Sequence, residues 1–271
     1  MKLDGMTSFS LSVEELAMAL AMINRPDLGQ MVLKEIYDNL TIEQIDSRMT
    51  AASHSLLAHG YCGFTDELKP RLDSKLEQAL VTLAIYDITF QLGIVKGGRS
   101  INANIHVKNG KAFTSHSVQA GIIHLLEHGV ERLLESYLLD ILEDYGDEVK
   151  LTIPSGLKIS MKALSAAAKR ADDKSNPIEA LQTSLEDSKI GQALAEDISN
   201  QVSRVTLIRI NAKSGIDDKE LLVAPKQVVL LLKSKIRTWY FEFESPDDEA
   251  TALVELVTRK DFSKKLLKFI E

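Results

Sequence analysis

Two histidines and a glutamate stand in a spacing that can support metal chemistry. His124 and His128 are four residues apart, and Glu127 lies between them. On an α-helix this spacing places both imidazoles one turn apart, where they can bind one zinc ion while the glutamate acts as general base. A third ligand would come from later in the chain, where Glu196 is the best-placed acid of a predicted helix. The motif therefore raises the hypothesis of a zinc hydrolase.

The sequence around the motif argues against that chemistry. Residues 121–128 resemble the inverted motif of pitrilysin-type zinc peptidases. In those peptidases an apolar, glycine-containing segment follows, whereas Gly129 to Arg132 continues an amphipathic helical pattern here. In that predicted helix the two histidines and Glu127 fall mostly opposite the leucine stripe, on a face exposed to solvent. We therefore interpret the match as coincidental and expect no catalytic residue, no metal and no cofactor.

The remaining reactive side chains form no second catalytic constellation. Cys62 is the only cysteine, so the chain can form neither an internal disulfide nor a cysteine-based zinc site by itself. His106 and His116 lie on a predicted hairpin and are interpreted as ordinary surface histidines. Gly97 and Gly98 are not followed by the Gly-Lys-Ser/Thr sequence of a phosphate-binding loop. We expect a protein that is not an enzyme.

The histidine motif follows a predicted β-hairpin. Residues 101–107 alternate between apolar and polar side chains, Asn109-Gly110 supplies the turn, and residues 111–117 form the returning strand. Asn-Gly favours a type I′ turn, because both of its central residues need a positive φ. The leucine pattern that follows predicts a long helix from Ser117 to about Tyr145, and this helix would carry the motif.

Three helices are predicted at the start of the chain. Ser12 can cap the first helix over residues 13–23, and a second helix runs over residues 27–39. Thr41 and Gln44 have capping-box spacing at the start of the third. This order of elements is typical of a winged helix-turn-helix, in which the third helix enters the DNA major groove and a hairpin forms the wing.

A DNA-binding regulator is therefore the alternative to a protein-binding module. Arg48, Ser53 and His54 would face the DNA from the third helix, and Lys108 and Lys111 would belong to the wing. The exposed face of that helix offers one firm cation against two carboxylates. Because neutralising phosphates dominates DNA affinity, we do not favour DNA recognition by this helix.

The second half of the chain repeats the order of elements in outline. An acidic stretch over residues 143–148 predicts a linker that divides the chain into residues 1–146 and 147–271. The sequence further predicts helices over residues 68–83, 160–170, 178–185 and 190–202, strands over residues 86–92, 205–210, 221–224, 228–232 and 237–244, a helix starting at Asp247, and a basic terminal helix from Arg259. Trp239, Phe241 and Phe243 alternate and should face the core. The predicted fold class is α+β, with two similar halves that each have helices, an antiparallel sheet and a closing helix.

The composition is that of a globular protein. Of the 271 residues, 45% are hydrophobic and 26% charged, which suffices for a substantial core. A net charge of −7 excludes a global positive field that would attract nucleic acid or an anionic membrane. The sequence shows no leader pattern, so we expect no signal peptide. It also has no long apolar run, so we expect no membrane span. Together with the single cysteine, this predicts a cytoplasmic protein.

The segment Leu56-Leu57-Ala58-His59-Gly60-Tyr61, with the leucine-spaced helix after it, resembles the EspG family of type VII secretion chaperones. Residues 12–16 add a further local similarity. The resemblance implies a pseudo-twofold α+β fold and a cytoplasmic, non-catalytic protein that binds the helical tip of secreted substrates. It assigns no binding residue. The prediction is a protein-binding or chaperone-like module with a helical protein partner.

Overall fold

The computed structural model describes residues 3–141, 151–182, 185, 188–211, 225–243 and 250–270. They belong to two compact units: Met1–Thr89 with Ala103–Leu134, and Phe90–Asn102 with Glu135–Glu271. Both units combine helices with antiparallel strands, so the predicted α+β class is confirmed. The predicted boundary after residue 146 lies outside the described residues and stays a prediction. No described helix is long and apolar enough to cross a membrane.

The first unit begins with one strand and three helices. These are β1 (Thr7–Ser12), α1 (Val13–Met22), α2 (Pro26–Ile36) and α3 (Ile42–Ala58). The predicted cap at Ser12 and the predicted capping box of Thr41 with Gln44 are both confirmed, and Ser12 also forms a capping box with Glu15 at the start of α1. These side chains hydrogen-bond the free amides of each first turn, which is why local sequence alone located the helix starts.

A short hairpin separates α3 from the next helix. It consists of β2 (Cys62–Phe64) and β3 (Pro70–Leu72), and α4 (Ser74–Ala84) follows. The helix predicted from Leu68 is therefore wrong over its first six residues, 68–73. Leu68 adopts a positive φ of 59°, and Asp73 caps α4 by accepting the Lys75 and Leu76 amides at 2.9 and 3.1 Å. From Ser74 onward the predicted helix is confirmed, and Leu76, Ala79 and Leu80 are buried on one face of it.

The predicted Asn-Gly hairpin is confirmed. The strands are β4 (Ile88–Lys96), β5 (Arg99–Lys108), β6 (Ala112–Gln119) and β7 (Ile123–Val130). Asn109 and Gly110 adopt φ angles of 52° and 56°, and the Lys111 amide donates to the Lys108 carbonyl at 3.0 Å. In the first unit the strand order is β1-β7-β6-β5, and each neighbouring pair is antiparallel.

The long helix predicted from Ser117 is wrong over residues 117–133. A turn at Ala120-Gly121, with φ angles of 50° and 74°, connects β6 to β7. A 3-10 turn follows, and α5 (Leu134–Ile141) then begins; residues 142–145 lie outside the described part of the chain. Leucines at 125 and 126 satisfy a helical stripe equally well. Hydrogen-bonded pairing of β7 with β1 and β6 makes this segment a strand. The local sequence pattern of residues 123–130 carries no information about these partners.

The second unit contains the remaining elements. They are β8 (Lys158–Ser160), α6 (Met161–Asp172), α7 (Ile178–Leu181), α8 (Ser188–Ser199), β9 (Gln201–Asn211), β10 (Pro225–Ser234), β11 (Thr238–Phe243), β12 (Thr251–Leu256) and α9 (Arg259–Ile270). The strand order within this unit is β4-β9-β10-β11-β12-β8. Trp239, Phe241 and Phe243 are fully buried, as predicted, in a core that includes residues of α6 and α8.

Two predictions for the second unit need correction. The helix predicted from Asp247 is wrong over β12, and residues 247–249 lie outside the described residues. Ala252 and Val254 alternate into the core, so period-two burial overrides the helix-start signal upstream. The helix predicted over residues 178–185 ends at Leu181. The strand predicted over residues 221–224 lies outside the described residues.

Candidate functional site

The histidine motif lies on strand β7 instead of on a helix. Side chains of a strand alternate between its faces, so His124 and His128 point to one face and Glu127 to the other. The general base of the zinc hypothesis is thus on the opposite face of the strand from both imidazoles. Glu196 belongs to α8, where its carboxylate lies 3.5 Å from Arg237 Nη2. In the described part of the chain, no group of three or more His, Cys, Asp or Glu side chains is placed to hold a metal.

Four histidines share one face of the first unit's strands. The register pairs His106 of β5 with Thr114 of β6, and Thr114 with His128 of β7. His116 of β6 approaches His124 of β7, with 2.8 Å between Nε2 and Nδ1 and the rings stacked at 5.1 Å. We call His106, His116, His124 and His128 the histidine layer. The interpretation of the first two as surface histidines is wrong, because His106 is buried and His116 half-buried.

Hydroxyl groups orient the outer members of the histidine layer. Thr114 Oγ1 donates to the Ala79 carbonyl of α4 at 3.1 Å. Thr114 Oγ1 also lies 2.9 Å from His128 Nδ1, and the tautomer of the imidazole decides which of the two atoms donates. His106 Nδ1 lies 2.9 Å from Thr89 Oγ1. These contacts use the ring nitrogens to hold strands and helix together.

Burial keeps the histidine layer neutral. It lowers the pKa of all four imidazoles, and that of His106 and His116 to about 4. Proximity of His116 adds to the lowered pKa of His106, and proximity of His124 to that of His116. The negative charge of the Glu35 carboxylate acts to raise the pKa of His124, but burial outweighs it and the pKa is lowered. At neutral pH the layer is therefore a set of uncharged, packed side chains.

The residues of the DNA-binding hypothesis are partly engaged elsewhere. Arg48 Nη1 donates to Glu14 Oε1 at 2.7 Å, and the guanidinium lies 4.1 Å from the centre of the Tyr37 ring. Ser53 Oγ donates to a backbone carbonyl of its own helix at 2.8 Å, while His54 is exposed. The only firm cation on that side of α3 is thus neutralised within the protein.

The proposed wing lysines flank a confirmed turn. Lys108 ends β5 and is half-buried, and Lys111 is exposed just after Asn109-Gly110. No described contact of either lysine favours nucleic acid, and DNA recognition by these residues stays a prediction.

The aromatic run of β11 is closed to ligands. Trp239 Nε1 donates to Asp197 Oδ2 at 2.7 Å, and Arg237 Nε donates to the same oxygen at 2.5 Å. Tyr240 faces the other side and is also buried, with the ammonium of Lys265 4.6 Å from its ring centre. Both faces of the strand are therefore covered, so none of these rings can stack on a nucleic-acid base.

Glu15 has a role in the structure that was not predicted from the sequence. Its carboxylate accepts the Ser12 amide at 2.8 Å and Ser55 Oγ at 2.7 Å, and it contacts His59 Nδ1 at 3.0 Å. Burial raises the pKa of Glu15, but these donors together hold it below its ordinary value. The carboxylate therefore ties the start of α1 to the end of α3. Capping-box spacing between Ser12 and Glu15 is a local signal for the first contact, and no local signal indicates the other two.

Sequence analysis also missed an exposed apolar feature. The β2–β3 hairpin presents Phe64 and Leu68, whose side chains are 61% and 79% exposed. The hairpin is ordered by the Thr65 amide donating to the Lys69 carbonyl at 2.9 Å and the Leu68 amide donating to the Thr65 carbonyl at 2.8 Å. We call residues 62–72 the finger.

A groove in the second unit was likewise not predicted. It has a volume of about 340 Å³ and runs between residues 151–156 and strand β12. Its lining consists of Leu151, Ile153, Pro154, Ser155, Gly156, Leu253, Val254, Glu255 and Leu256. The Pro-Ser-Gly sequence signals a turn, but a groove beside it depends on β12, which lies about a hundred residues later.

Comparisons with known proteins indicate a shared fold. No family model matches the sequence, and no curated protein matches it. Among solved structures, the chain is similar to the Mycobacterium tuberculosis type VII secretion system chaperone EspG5, solved in complex with a PE25–PPE41 dimer. The TM-score is 0.59 at 11% identity, over 97% of this chain and 95% of that one. This likeness confirms the predicted EspG-like resemblance for the fold alone.

A second similarity carries no structural argument. Full-length peroxisomal multifunctional enzyme type 2 from Drosophila melanogaster is 11% identical, over 93% of this chain and 48% of that one. Its TM-score is 0.17, which does not indicate a common fold.

Proposed function

We propose that this chain is a non-enzymatic, cytoplasmic protein-binding module of the chaperone type, with a helical protein as partner. The observation that carries the proposal is the likeness to EspG5 along nearly the full length of both chains. EspG5 was solved bound to a protein dimer, so this fold can present a protein-binding surface.

The state of the reactive side chains supports a binding role over catalysis. The histidine layer is buried and neutral, and its Thr114 and His128 contacts hold strands and helix together. Glu15 and Asp197 are buried carboxylates whose oxygens accept hydrogen bonds from neighbouring elements. Catalytic acids and bases need access to a substrate, whereas these groups contact other side chains and backbone groups of the protein.

The finger supports the same proposal from the surface. Phe64 and Leu68 are large apolar side chains held outward by an ordered hairpin, which costs solvation energy in the free protein. Apolar side chains that an ordered hairpin already holds in place lose little conformational entropy when a partner covers them. A partner with an apolar surface groove between helices would cover them.

The test is affinity purification of the tagged full chain from cells of the source organism. The expected result is one stoichiometric complex, whose protein component is identified by mass spectrometry and shown to be helical by circular dichroism. Light scattering then gives the ratio of the two chains. Recovery of duplex DNA alone, or of the isolated chain only, would overturn the proposal.

A further inference from the structure

Strand β12 loses its outer partner halfway along its length. It has six residues, but its pairing with β8 covers only Thr251, Ala252 and Leu253. One further bond continues the ladder, from the Val254 amide to the Leu157 carbonyl at 2.9 Å. Among the described strands, none pairs with the last part of β12 on this side.

A turn takes the chain away from β12 at this point. The Leu157 amide donates to the Pro154 carbonyl at 3.3 Å, and Gly156 has a φ of 77°. In a regular antiparallel ladder the Leu157 amide would instead donate to the Val254 carbonyl. The turn therefore leaves that carbonyl facing the groove.

The alternation of backbone groups extends this open edge to Leu256. The Val254 amide points to the β8 side, and the Val257 amide points to the other side, where it donates to the Thr238 carbonyl at 3.0 Å. Backbone groups reverse direction with every residue of a strand. Leu256, two residues after Val254, therefore directs its amide and its carbonyl into the groove.

The walls of the groove suit an extended peptide. Leu151, Ile153 and Pro154 line one side, and Leu253 and Leu256 line the other. A bound strand would place its backbone on the open edge and its alternate side chains against these apolar walls. A helix cannot use the edge in this way, because its own backbone groups are already paired.

We propose that a short extended segment of a protein partner binds in this groove, antiparallel to β12, where β8 would otherwise continue. The inference rests on the proposed protein-binding function. It implies that the helical partner also has an extended segment, which binds in this groove. Val254 supplies an acceptor, and Leu256 supplies one donor and one acceptor. The segment completes the ladder that the turn at residues 154–157 interrupts.

The test uses a peptide probe and hydrogen exchange of the full chain followed by NMR. The probe is an acetylated hexapeptide of alternating valine and threonine with a terminal lysine. A matched peptide carries N-methyl groups on alternate amides and cannot pair with the strand. The first peptide should slow exchange of the Leu256 amide about tenfold when about nine-tenths of the sites are occupied, since only the free remainder then exchanges. The methylated peptide should not slow it.

Variants of the chain localise the effect. Leu256→Pro removes the donor from the edge, and Ile153→Glu introduces a carboxylate into the opposite wall. Both should weaken probe binding about tenfold or more, which corresponds to about 1.4 kcal/mol. Ile236→Glu is the matched control, because Ile236 is 56% exposed and does not line the groove. Should Leu256→Pro unfold β12, Ile153→Glu still decides the result.

Several outcomes would overturn the inference. Equal binding of the methylated peptide would show that the edge is not used, and unchanged exchange of the Leu256 amide at millimolar probe would show that the groove is not occupied. A natural partner that binds wild type and Ile153→Glu equally would also refute the groove while the proposed function stands. Probe binding without any natural partner would refute the chaperone function and leave the peptide groove established.

Discussion

His116 Nε2 and His124 Nδ1 lie 2.8 Å apart on neighbouring strands, and their rings stack with 13° between the planes. One hydrogen between two nitrogens makes one ring the donor and the other the acceptor. His124 Nε2 is buried without a hydrogen-bond partner among the described residues. Protonating both rings would place two cations in direct contact, so the pair is built for neutral imidazoles.

The first unit should lose stability as the pH falls. Burial lowers the pKa of His106 and His116 in the folded protein from 6.5 to about 4, so their contribution is complete above pH 6.5. It is lost as the pH falls toward 4, by about 2 kcal/mol for each histidine at pH 5. Urea unfolding at pH 7.5, 6 and 5 measures this slope. His116→Gln should flatten it, and an unchanged slope would contradict the assignment.

Glu15→Gln should destabilise the first unit. The amide that replaces one carboxylate oxygen is a donor, and it would face the Ser12 amide or the Ser55 hydroxyl, which also donate. We expect a loss of about 1–3 kcal/mol in the free energy of unfolding. The matched control is Glu77→Gln, an exposed glutamate in the first turn of α4, which should change it by less than about 0.5 kcal/mol. Equal effects of the two substitutions would refute this role.

Asp197→Asn should destabilise the second unit far more than Glu196→Gln. Asp197 is buried and accepts from both Arg237 and Trp239, so its loss removes the closest carboxylate from a largely buried guanidinium. The exposed Glu196 carboxylate, 3.5 Å away, is then the remaining counter-charge of this guanidinium, and we expect a cost of about 3 kcal/mol. The neighbouring Glu196 contacts the same guanidinium at 3.5 Å, but its side chain is 62% exposed, so its loss should cost less than about 0.5 kcal/mol. Chemical denaturation measures the free energy of unfolding of both variants. A larger loss for Glu196→Gln than for Asp197→Asn would contradict the prediction.

Leu68→Gly should separate stability from binding. Leu68 has a φ of 59°, which glycine adopts without strain, so the variant should unfold no more easily and could gain up to about 1 kcal/mol. The lost side chain should nevertheless weaken the complex with the partner. Calorimetric titration measures the affinity, and Ile85→Gly, which removes another exposed apolar side chain of the first unit, is the control. Unchanged affinity for Leu68→Gly would remove the finger from the interface.

Purified protein should contain no stoichiometric zinc. Strand geometry puts Glu127 on the opposite face from His124 and His128, and burial keeps their imidazoles packed. Metal analysis after dialysis against zinc should give well under one ion per chain, and His124→Ala should not change that amount. Zinc at one ion per chain that His124→Ala abolishes would restore the hydrolase hypothesis.

Signals that act within a few residues predicted their elements correctly. Ser12 as a cap, and Thr41 with Gln44 as a capping box, marked the helix starts because these side chains hydrogen-bond the turn beside them. Asn109-Gly110 marked the hairpin, because the turn needs two residues of positive φ. Tertiary contacts at other parts of the chain were not needed to make these predictions.

The same histidine motif shows what the sequence determined and what only the tertiary structure decided. The sequence alone determined the residues, their spacing and an α+β composition of elements. On a helix, Glu127 would lie beside His124 and His128, whereas on a strand it lies on the opposite face. The strand depends on β1, which pairs with β7 from over a hundred residues away in the sequence. A leucine pattern fits both periods, and the hydrogen-bonded neighbours on either side selected the strand. That selection turned a candidate metal site into a packed layer of neutral histidines.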